Sequence, residues 1–121
     1  MARLLLAEDE AILRMLVTDT LEDEGYELDV AVDGQEALSL IQSRHYDLLI
    51  LDYMMPKATG LDVIEQVRRM PERKDVKILM LSAKSQEAEQ TKTLQAGADE
   101  FMSKPFSPLD LARKVKELLH G

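Results

Sequence analysis

The chain of 121 residues carries a formal net charge of -8, with 45% hydrophobic residues, 31% charged residues and no cysteine. This length and composition fit one globular domain, and the lack of cysteine excludes disulfides, thiolate zinc sites and cysteine nucleophiles. The acidic balance argues against direct binding of nucleic acid. No apolar run is long enough to cross a bilayer, and no basic and apolar leader precedes Leu4, so we expect a cytoplasmic protein without membrane contact.

Strand-like and helix-like segments alternate along the chain. The apolar run at 4–7 predicts a strand that is buried on both faces, and the helix after it would end at Gly25 in the C′ position. The apolar face of this helix is predicted at Ile12, Leu13, Leu16, Val17 and Leu21. Alternation of polar and apolar residues at 28–32 favours an edge strand, and Asp33-Gly34 turns the chain into a second helix.

The second half of the chain continues this alternation. The run at 48–51 predicts a central strand, followed by a loop at 53–60 and a third helix. A fourth strand at 78–81 leads to a polar helix at about 86–96, and a fifth strand at 100–103 leads to the last helix. Five βα units predict an α/β fold: a single doubly wound (βα)5 flavodoxin-like domain, with a parallel five-stranded sheet in the order 2-1-3-4-5. We expect residues 1–121 to form this one domain, with no output domain in the chain.

Charged side chains follow three of the predicted strands. Glu8-Asp9, Asp52 and Lys104 each stand at a carboxyl end, where parallel sheets place their ligand sites. Three carboxylates about 4 Å apart would repel one another by roughly 3 to 12 kcal/mol in total, and one lysine offsets only part of this. Taken alone, each acidic residue is explained as well by a turn or a helix N-cap, and Lys104 by a solvated surface lysine. Together, oxygen ligands in this small number favour Mg²⁺.

The same groups favour phosphoryl chemistry on Asp52. A carboxylate can act as a nucleophile and form an aspartyl phosphate. Phosphoryl transfer then needs mainly positioning and neutralisation of the phosphoryl oxygens. Lys104 and the hydroxyl of Ser82, at the end of the fourth strand, would supply part of this beside Mg²⁺. Ser82 taken alone is as well explained as a helix N-cap.

Over essentially its full length, the sequence resembles the receiver domain of two-component response regulators. The motifs that carry this resemblance are Glu8-Asp9-Glu10, Asp52 with Met54-Met55-Pro56 and Gly60, Ser82-Ala83, and Lys104-Pro105-Phe106. Any one of these motifs is weak, whereas the four in this order and spacing are highly specific. The resemblance also makes a cis peptide at Lys104-Pro105 a feature that this chain could share.

The resemblance implies a role for each site residue. Asp52 would accept a phosphoryl group from a phosphohistidine on a histidine kinase or histidine phosphotransfer protein. Ser82 and Lys104 would bind the phosphoryl oxygens. The implied Mg²⁺ ligands are Glu8, Asp9, Asp52 and the main-chain carbonyl of Met54.

Phe101 stands at the family's aromatic switch position, which would act together with Ser82. It lacks the hydroxyl of the more usual tyrosine, so coupling would depend on ring packing alone, and a plain core phenylalanine is the alternative. The family tunes dephosphorylation through the positions of Met54 and Lys84. Neither of these side chains can orient a water as a carboxylate would, so we expect a long-lived phosphoryl group.

The helix predicted at 86–96 has few apolar residues to anchor it, so we expect it to be the most mobile helix. With the fifth strand and the last helix, it forms the expected surface for an output domain or partner protein. A homodimer is a further possible assembly.

Three other functions share parts of the pattern. A flavin-binding electron carrier needs phosphate donors where this chain has Glu8-Asp9-Glu10, which would repel the phosphate. A metal-dependent phosphatase with an aspartyl nucleophile needs an acid two residues on, where Met54 stands. A receiver-like scaffold would bind partners without phosphorylation. The sequence favours a phosphoacceptor signalling domain rather than an enzyme that consumes a substrate.

Overall fold

The computed structural model describes residues 2–73, 75–83 and 87–120. Within these residues, strands and helices alternate in the following order: β1 (Arg3–Ala7), α1 (Ala11–Asp23), β2 (Glu27–Ala31), α2 (Gly34–Ser43), β3 (Leu48–Asp52), α3 (Gly60–Arg68), β4 (Lys77–Ser82), α4 (Glu87–Ala96), β5 (Glu100–Ser103) and α5 (Pro108–His120). All strand pairs are parallel, in the order β2-β1-β3-β4-β5, which confirms the predicted fold class. The expected start of α4 at Gln86 lies outside the described residues. No helix in the described ranges is both long and apolar enough to span a membrane.

The inner strands supply apolar cores to both faces of the sheet. Alternate residues of a strand point to opposite faces, so Leu5 and Leu49 pack in the cluster that includes residues of α2 and α3. Leu4 and Leu48 pack in the cluster that includes residues of α1 and α5. All five residues of β3 are buried, which explains why its sequence lacks the alternation of an edge strand.

The apolar face predicted for α1 is only partly buried. Val17 and Leu21 are fully buried, whereas Ile12 is 81% exposed and Leu16 is 38% exposed. Residues 13, 17 and 21 follow one another at four-residue intervals and form one strip of the helix, and residues 12 and 16 form the next strip. Only the first strip packs against the sheet and α5. The predicted apolar face therefore divides into a strip that packs against the core and an exposed strip that holds Ile12 and Leu16.

The two ends of α1 follow different rules. Gly25 adopts φ +93° directly after the C-cap residue Glu24, as predicted, because glycine tolerates the left-handed conformation there. Glu10 is the N-cap residue, but its side chain makes no capping hydrogen bond. The interpretation of the acidic triplet as a simple helix cap is therefore not supported.

The loop between β3 and α3 folds tightly against the sheet. The hydroxyl of Thr59 accepts a hydrogen bond from the Asp62 amide, and the Asp62 carboxylate accepts one from the Thr59 amide, forming a capping box at the start of α3. Gly60 then packs on the main-chain carbonyl of Asp52, and a Cβ at residue 60 would lie 2.8 Å from the Met80 sulfur. Only glycine fits this contact without displacing β3 or β4.

Helix α4 is weakly anchored compared with the other helices. Among its described side chains, at 90–96, only Thr93 is buried, and Leu94 is 48% exposed. The hydroxyl of Thr93 has no hydrogen-bond partner among the described residues. This burial pattern agrees with the expected shortage of apolar anchors, since most helical stability in proteins comes from a packed apolar face.

We expect Gly60→Ala to lower the free energy of unfolding by about 1–3 kcal/mol, because the added methyl group overpacks the space beside the Asp52 carbonyl. Urea denaturation at fixed pH measures this change. Gln66→Ala, at an exposed position of the same helix, is the matched control and should change stability by no more than about 0.5 kcal/mol. Equal stability of the two variants would contradict the close approach at Gly60.

Candidate functional site

The ends of four parallel strands bring the predicted polar groups together. Glu8 directly follows β1, Asp52 and Ser82 are the last residues of β3 and β4, and Lys104 directly follows β5. The Lys104 ammonium nitrogen lies 3.0 Å from Oε1 of Glu8 and 3.1 Å from Oδ1 of Asp52. One cation therefore bridges two carboxylates that come from different strands. Its side chain is only 17% exposed, so the alternative of a solvated surface lysine is wrong.

Three carboxylates form a compact set of oxygen ligands. One oxygen from each of Glu8, Asp9 and Asp52 lies within 4.8 Å of the others. Glu8 and Asp52 are buried, at 1% and 6% exposure, whereas Asp9 is exposed. Burying carboxylates with a single ammonium partner leaves excess negative charge, which is costly in a poorly solvated site. The donor set therefore fits a small, hard divalent cation such as Mg²⁺, with Asp9 on the open side.

Burial also changes the ionisation of this cluster. Removal from water and, to a smaller extent, the nearby charge of Asp52 together raise the pKa of Glu8 to about 7, against the lowering effect of the hydrogen bond from Lys104. Burial pulls the pKa of Lys104 down, but its hydrogen bond to Glu8 and the charge of Asp52 outweigh burial and leave the pKa raised. Lys104 is thus a permanent cation at neutral pH, while Glu8 titrates near neutrality.

Main-chain hydrogen bonds hold the ends of the strands in register. The amide of Glu8 donates to the carbonyl of Ala31 at 3.0 Å, and the amide of Tyr53 donates to the carbonyl of Leu81 at 2.8 Å. The amide of Lys104 donates to the carbonyl of Ser82 at 2.6 Å, and the Lys104–Pro105 peptide is cis. Ser82 itself is 2% exposed. As the last residue of β4, it lies beside the β5 end that carries Lys104.

Two of the three further residues with predicted roles are described by the structure. Met54 lies in the loop two residues after Asp52 and is 69% exposed. Phe101 is half-buried on β5, pairs in register with Met80, and packs against the core on the α2–α3 side. Lys84 lies outside the described residues. The metal-ligand role of Met54 and the switch role of Phe101 stay predictions.

A groove beside the cluster was not found by sequence analysis. It has a volume of about 470 Å³, and Leu13, Leu16, Pro105 and Phe106 form its apolar wall while Glu10, Ala83 and Lys104 complete its lining. Next to it on α1, Ile12 and Met15 are 81% and 65% exposed. The feature of the sequence that could have indicated this groove is a second strip of apolar residues at 12, 15 and 16, spaced as i, i+3 and i+4. Only the first strip, at 13, 17 and 21, is needed to pack α1 against the core.

The fold and the site together define a single α/β domain with an acidic cluster and a lysine at the carboxyl ends of its strands. The family model described as the response regulator receiver domain matches residues 4–116. The chain belongs to this family of signalling domains.

Curated relatives are longer than this chain. The transcriptional regulatory protein ResD of Bacillus subtilis is 41% identical over 117 residues, which is 97% of this chain and 48% of that protein. The phosphate regulon transcriptional regulatory protein PhoB of Rhizobium meliloti is 39% identical over 117 residues, which is 97% of this chain and 52% of that protein. The chain thus spans about half the length of these relatives.

Solved structures give the same assignment. The response regulator protein TrrA of Thermotoga maritima, solved in complex with Mg²⁺-BeF, is 42% identical to this chain, with a TM-score of 0.87. The superposition covers 98% of this chain and 100% of that one.

The raised pKa of Glu8 predicts a pH-dependent stability of the metal-free domain. The pKa is higher in the folded than in the unfolded state, so the folded state favours the protonated carboxyl. This contribution is fully present below about pH 4.5 and is lost as the pH rises through about 7. The glutamine side chain of Glu8→Gln is uncharged at every pH. This variant should therefore raise the melting temperature of the metal-free domain by several degrees at pH 8 and by much less at pH 5. Thermal melts at both values, in a chelator, measure this, and a gain that is equal at both would contradict it.

Proposed function

We propose that the domain accepts a phosphoryl group on Asp52 from the phosphohistidine of a histidine kinase or phosphotransfer protein, with Mg²⁺ bound. The observation that carries this proposal is the position of Asp52. Its buried carboxylate contacts the Lys104 ammonium at 3.1 Å and shares a set of ligand oxygens with Glu8 and Asp9. Membership of the receiver family supports the same conclusion.

The transfer is a displacement at phosphorus. A carboxylate oxygen of Asp52 attacks, the new O–P bond forms as the P–N bond to the imidazole breaks, and the electron pair of the broken bond stays on the imidazole nitrogen. Lys104 neutralises charge on a phosphoryl oxygen, and the hydroxyl of Ser82 donates a hydrogen bond to another. Mg²⁺, when bound, supplies further positive charge next to the phosphoryl oxygens. The carboxylates of Glu8, Asp9 and Asp52 and the carbonyl of Met54 are its proposed ligands.

The phosphodonor protein docks at the groove beside the cluster. A phosphohistidine must reach Asp52 from the carboxyl edge of the sheet, and the groove opens at that edge with Lys104 in its lining. Ile12, Met15 and Leu16 give this rim an exposed apolar strip on α1, of the kind that a helix of a partner covers.

The phosphorylated state is read on the face of α4, β5 and α5. The Lys104 amide bonds to the Ser82 carbonyl, and Phe101 lies on β5 three residues before Lys104, so a change at Asp52 reaches β4 and β5 directly. Helix α4, which is weakly anchored, follows β4 and can shift with it. An output domain or a separate partner protein binds this face. The same face is also the candidate interface of a homodimer.

We propose a cytoplasmic protein in which this domain acts as a switch rather than as an enzyme with a small-molecule substrate. Its catalysis is limited to its own phosphorylation and a slow dephosphorylation, because Met54 offers no group to orient a water. A phosphorylation-independent scaffold is the alternative, and the complete set of acceptor residues speaks against it.

Incubation with acetyl phosphate and Mg²⁺ should add one phosphoryl group to the native chain, and the adduct should persist for minutes or longer. Intact mass spectrometry measures the adduct. Asp52→Asn, or removal of Mg²⁺ by a chelator, should abolish it. Asp47→Asn changes an exposed carboxylate at the opposite edge of the sheet, and it should leave the adduct intact. No adduct on the native chain would favour the scaffold.

Ile12→Ser should slow phosphotransfer from a phosphorylated histidine kinase by about tenfold, because it removes an exposed apolar anchor of the docking surface. Labelling by acetyl phosphate, which needs no docking, should stay within about twofold of the native rate. Leu94→Ser, at an exposed apolar position on α4, is the control and should transfer at the native rate. Loss of transfer in both variants, or in neither, would contradict docking at α1.

Thr93→Val should raise the free energy of unfolding by about 1 kcal/mol, because it replaces a buried hydroxyl that has no partner among the described residues. It should also slow amide exchange in α4 and weaken the change in exchange that a beryllofluoride–Mg²⁺ complex induces. Thr91→Val, at an exposed position, is the control. Equal exchange protection of all five helices in the native chain, with and without the mimic, would contradict a mobile α4.

A further inference from the structure

One arginine next to the acidic cluster has no role in the functions above. The Arg14 side chain, on the first turn and a half of α1, donates a hydrogen bond from Nη1 to the main-chain carbonyl of Glu8 at 2.9 Å. The contact is partly buried. No periodicity or motif in the sequence distinguishes this residue from a solvated helix arginine, because its partner is a main-chain atom six positions earlier.

The other hydrogen bonds of Glu8 use its amide and its carboxylate, so its carbonyl oxygen is available to accept the bond from Arg14. The Glu8 amide donates to the carbonyl of Ala31 at 3.0 Å, which ties residue 8 to the end of β2. The Glu8 side chain accepts from the Lys104 ammonium at 3.0 Å and from the Glu10 amide at 3.1 Å. These bonds fix the position and the side chain of Glu8. The bond from Arg14 fixes the orientation of the peptide that joins Glu8 to Asp9, since that peptide is planar.

The orientation of the Asp9 carboxylate depends on this peptide more than the orientations of the Glu8 and Asp52 carboxylates do. Within the described part of the chain, its carboxylate accepts no hydrogen bond and has no ion-pair partner, and the residue is exposed. One of its carboxylate oxygens nevertheless lies within 4.8 Å of oxygens of the buried carboxylates of Glu8 and Asp52. The backbone before it, held by Arg14, is therefore what aims this carboxylate at the cluster.

The charge of Arg14 acts in the same direction. Among the described residues no carboxylate lies within 4.0 Å of its guanidinium, so its charge is not neutralised by a direct ion pair. A guanidinium carries a delocalised positive charge. Placed one hydrogen bond from the segment that carries two of the three carboxylates, it offsets part of their mutual repulsion in the absence of metal.

We propose that Arg14 is a positioning residue for the metal site: its hydrogen bond to the Glu8 carbonyl holds the Glu8–Glu10 turn so that Asp9 stays a ligand. Within the described residues Arg14 forms no ion pair with a carboxylate of the cluster, so it would act on the metal site through the main chain of Glu8. Its significance for phosphorylation rests on the proposed function, whereas its effect on the turn and on the binding of Mg²⁺ does not.

The test compares Arg14→Ala with the native chain in two measurements. Isothermal titration with MgCl₂ should show affinity reduced by about tenfold, as for the loss of other groups that orient metal ligands. Hydrogen exchange of the metal-free chain should be faster at the amides of Asp9 and Glu10, and unchanged at the amide of Glu8, which bonds to Ala31. At saturating Mg²⁺, the rate of labelling by acetyl phosphate should stay within about twofold of native, since Arg14 only positions ligands.

Two further variants make the outcome decisive. Arg113→Ala removes a largely exposed arginine from α5 and should leave both the Mg²⁺ affinity and the exchange of the turn unchanged. If Arg14→Ala does not fold, Arg14→Lys, which loses the planar guanidinium, should shift both measurements in the same direction. Native Mg²⁺ affinity and native exchange at Asp9 and Glu10 in the folded Arg14 variant would overturn the proposal. A native chain that binds Mg²⁺ but gains no phosphoryl group would instead overturn the proposed function alone.

Discussion

The bridge that Lys104 forms between Glu8 and Asp52 is the interaction on which the rest of the site depends. It joins residues 96 positions apart in the sequence and ties the end of β5 to the ends of β1 and β3. Two buried carboxylates without this cation would repel each other in surroundings that screen charge poorly. The cation can be held there because three parallel strands end at the same edge. The order and register of the strands thus determine which charges meet at the site.

One ammonium against three carboxylates leaves the cluster short of positive charge. In the proposed function this imbalance would make the site responsive, because a change in the charge at Asp52 would alter the partners available to Lys104. The main chain of Lys104 is bonded to Ser82, and Phe101 is on the same strand, so the strands that would carry the response are already in contact with the cluster. The one helix between those strands, α4, is also the one with the fewest buried side chains among those described. The helix that is proposed to respond is therefore weakly packed in its described part.

The sequence was sufficient for most of the architecture because the inner strands have an unmistakable composition. Leu48 to Leu51 are apolar without alternation, which is typical of a strand covered on both faces. It was insufficient for α1, where Ile12 and Leu16 belong to the predicted apolar face but lie exposed. The sequence of a helix with two adjacent apolar strips does not indicate which strip packs against the sheet. That depends on the positions of α5 and the sheet relative to the helix. Arg14 escaped notice for a similar reason, since its partner is a carbonyl group, which every residue possesses.

The sequence by itself determined the five βα units, the strand order and the set of charged groups at the strand ends, because these follow from local patterns and from the rules of parallel sheets. Only the tertiary structure decided how those groups differ. Glu8 and Asp9 are neighbours in sequence, yet Glu8 is buried with a pKa raised to about 7 and Asp9 is exposed. The same packing put Lys104 between two carboxylates and left a groove open beside it. Burial and distance arise from all the elements at once, which is why no local pattern encodes them.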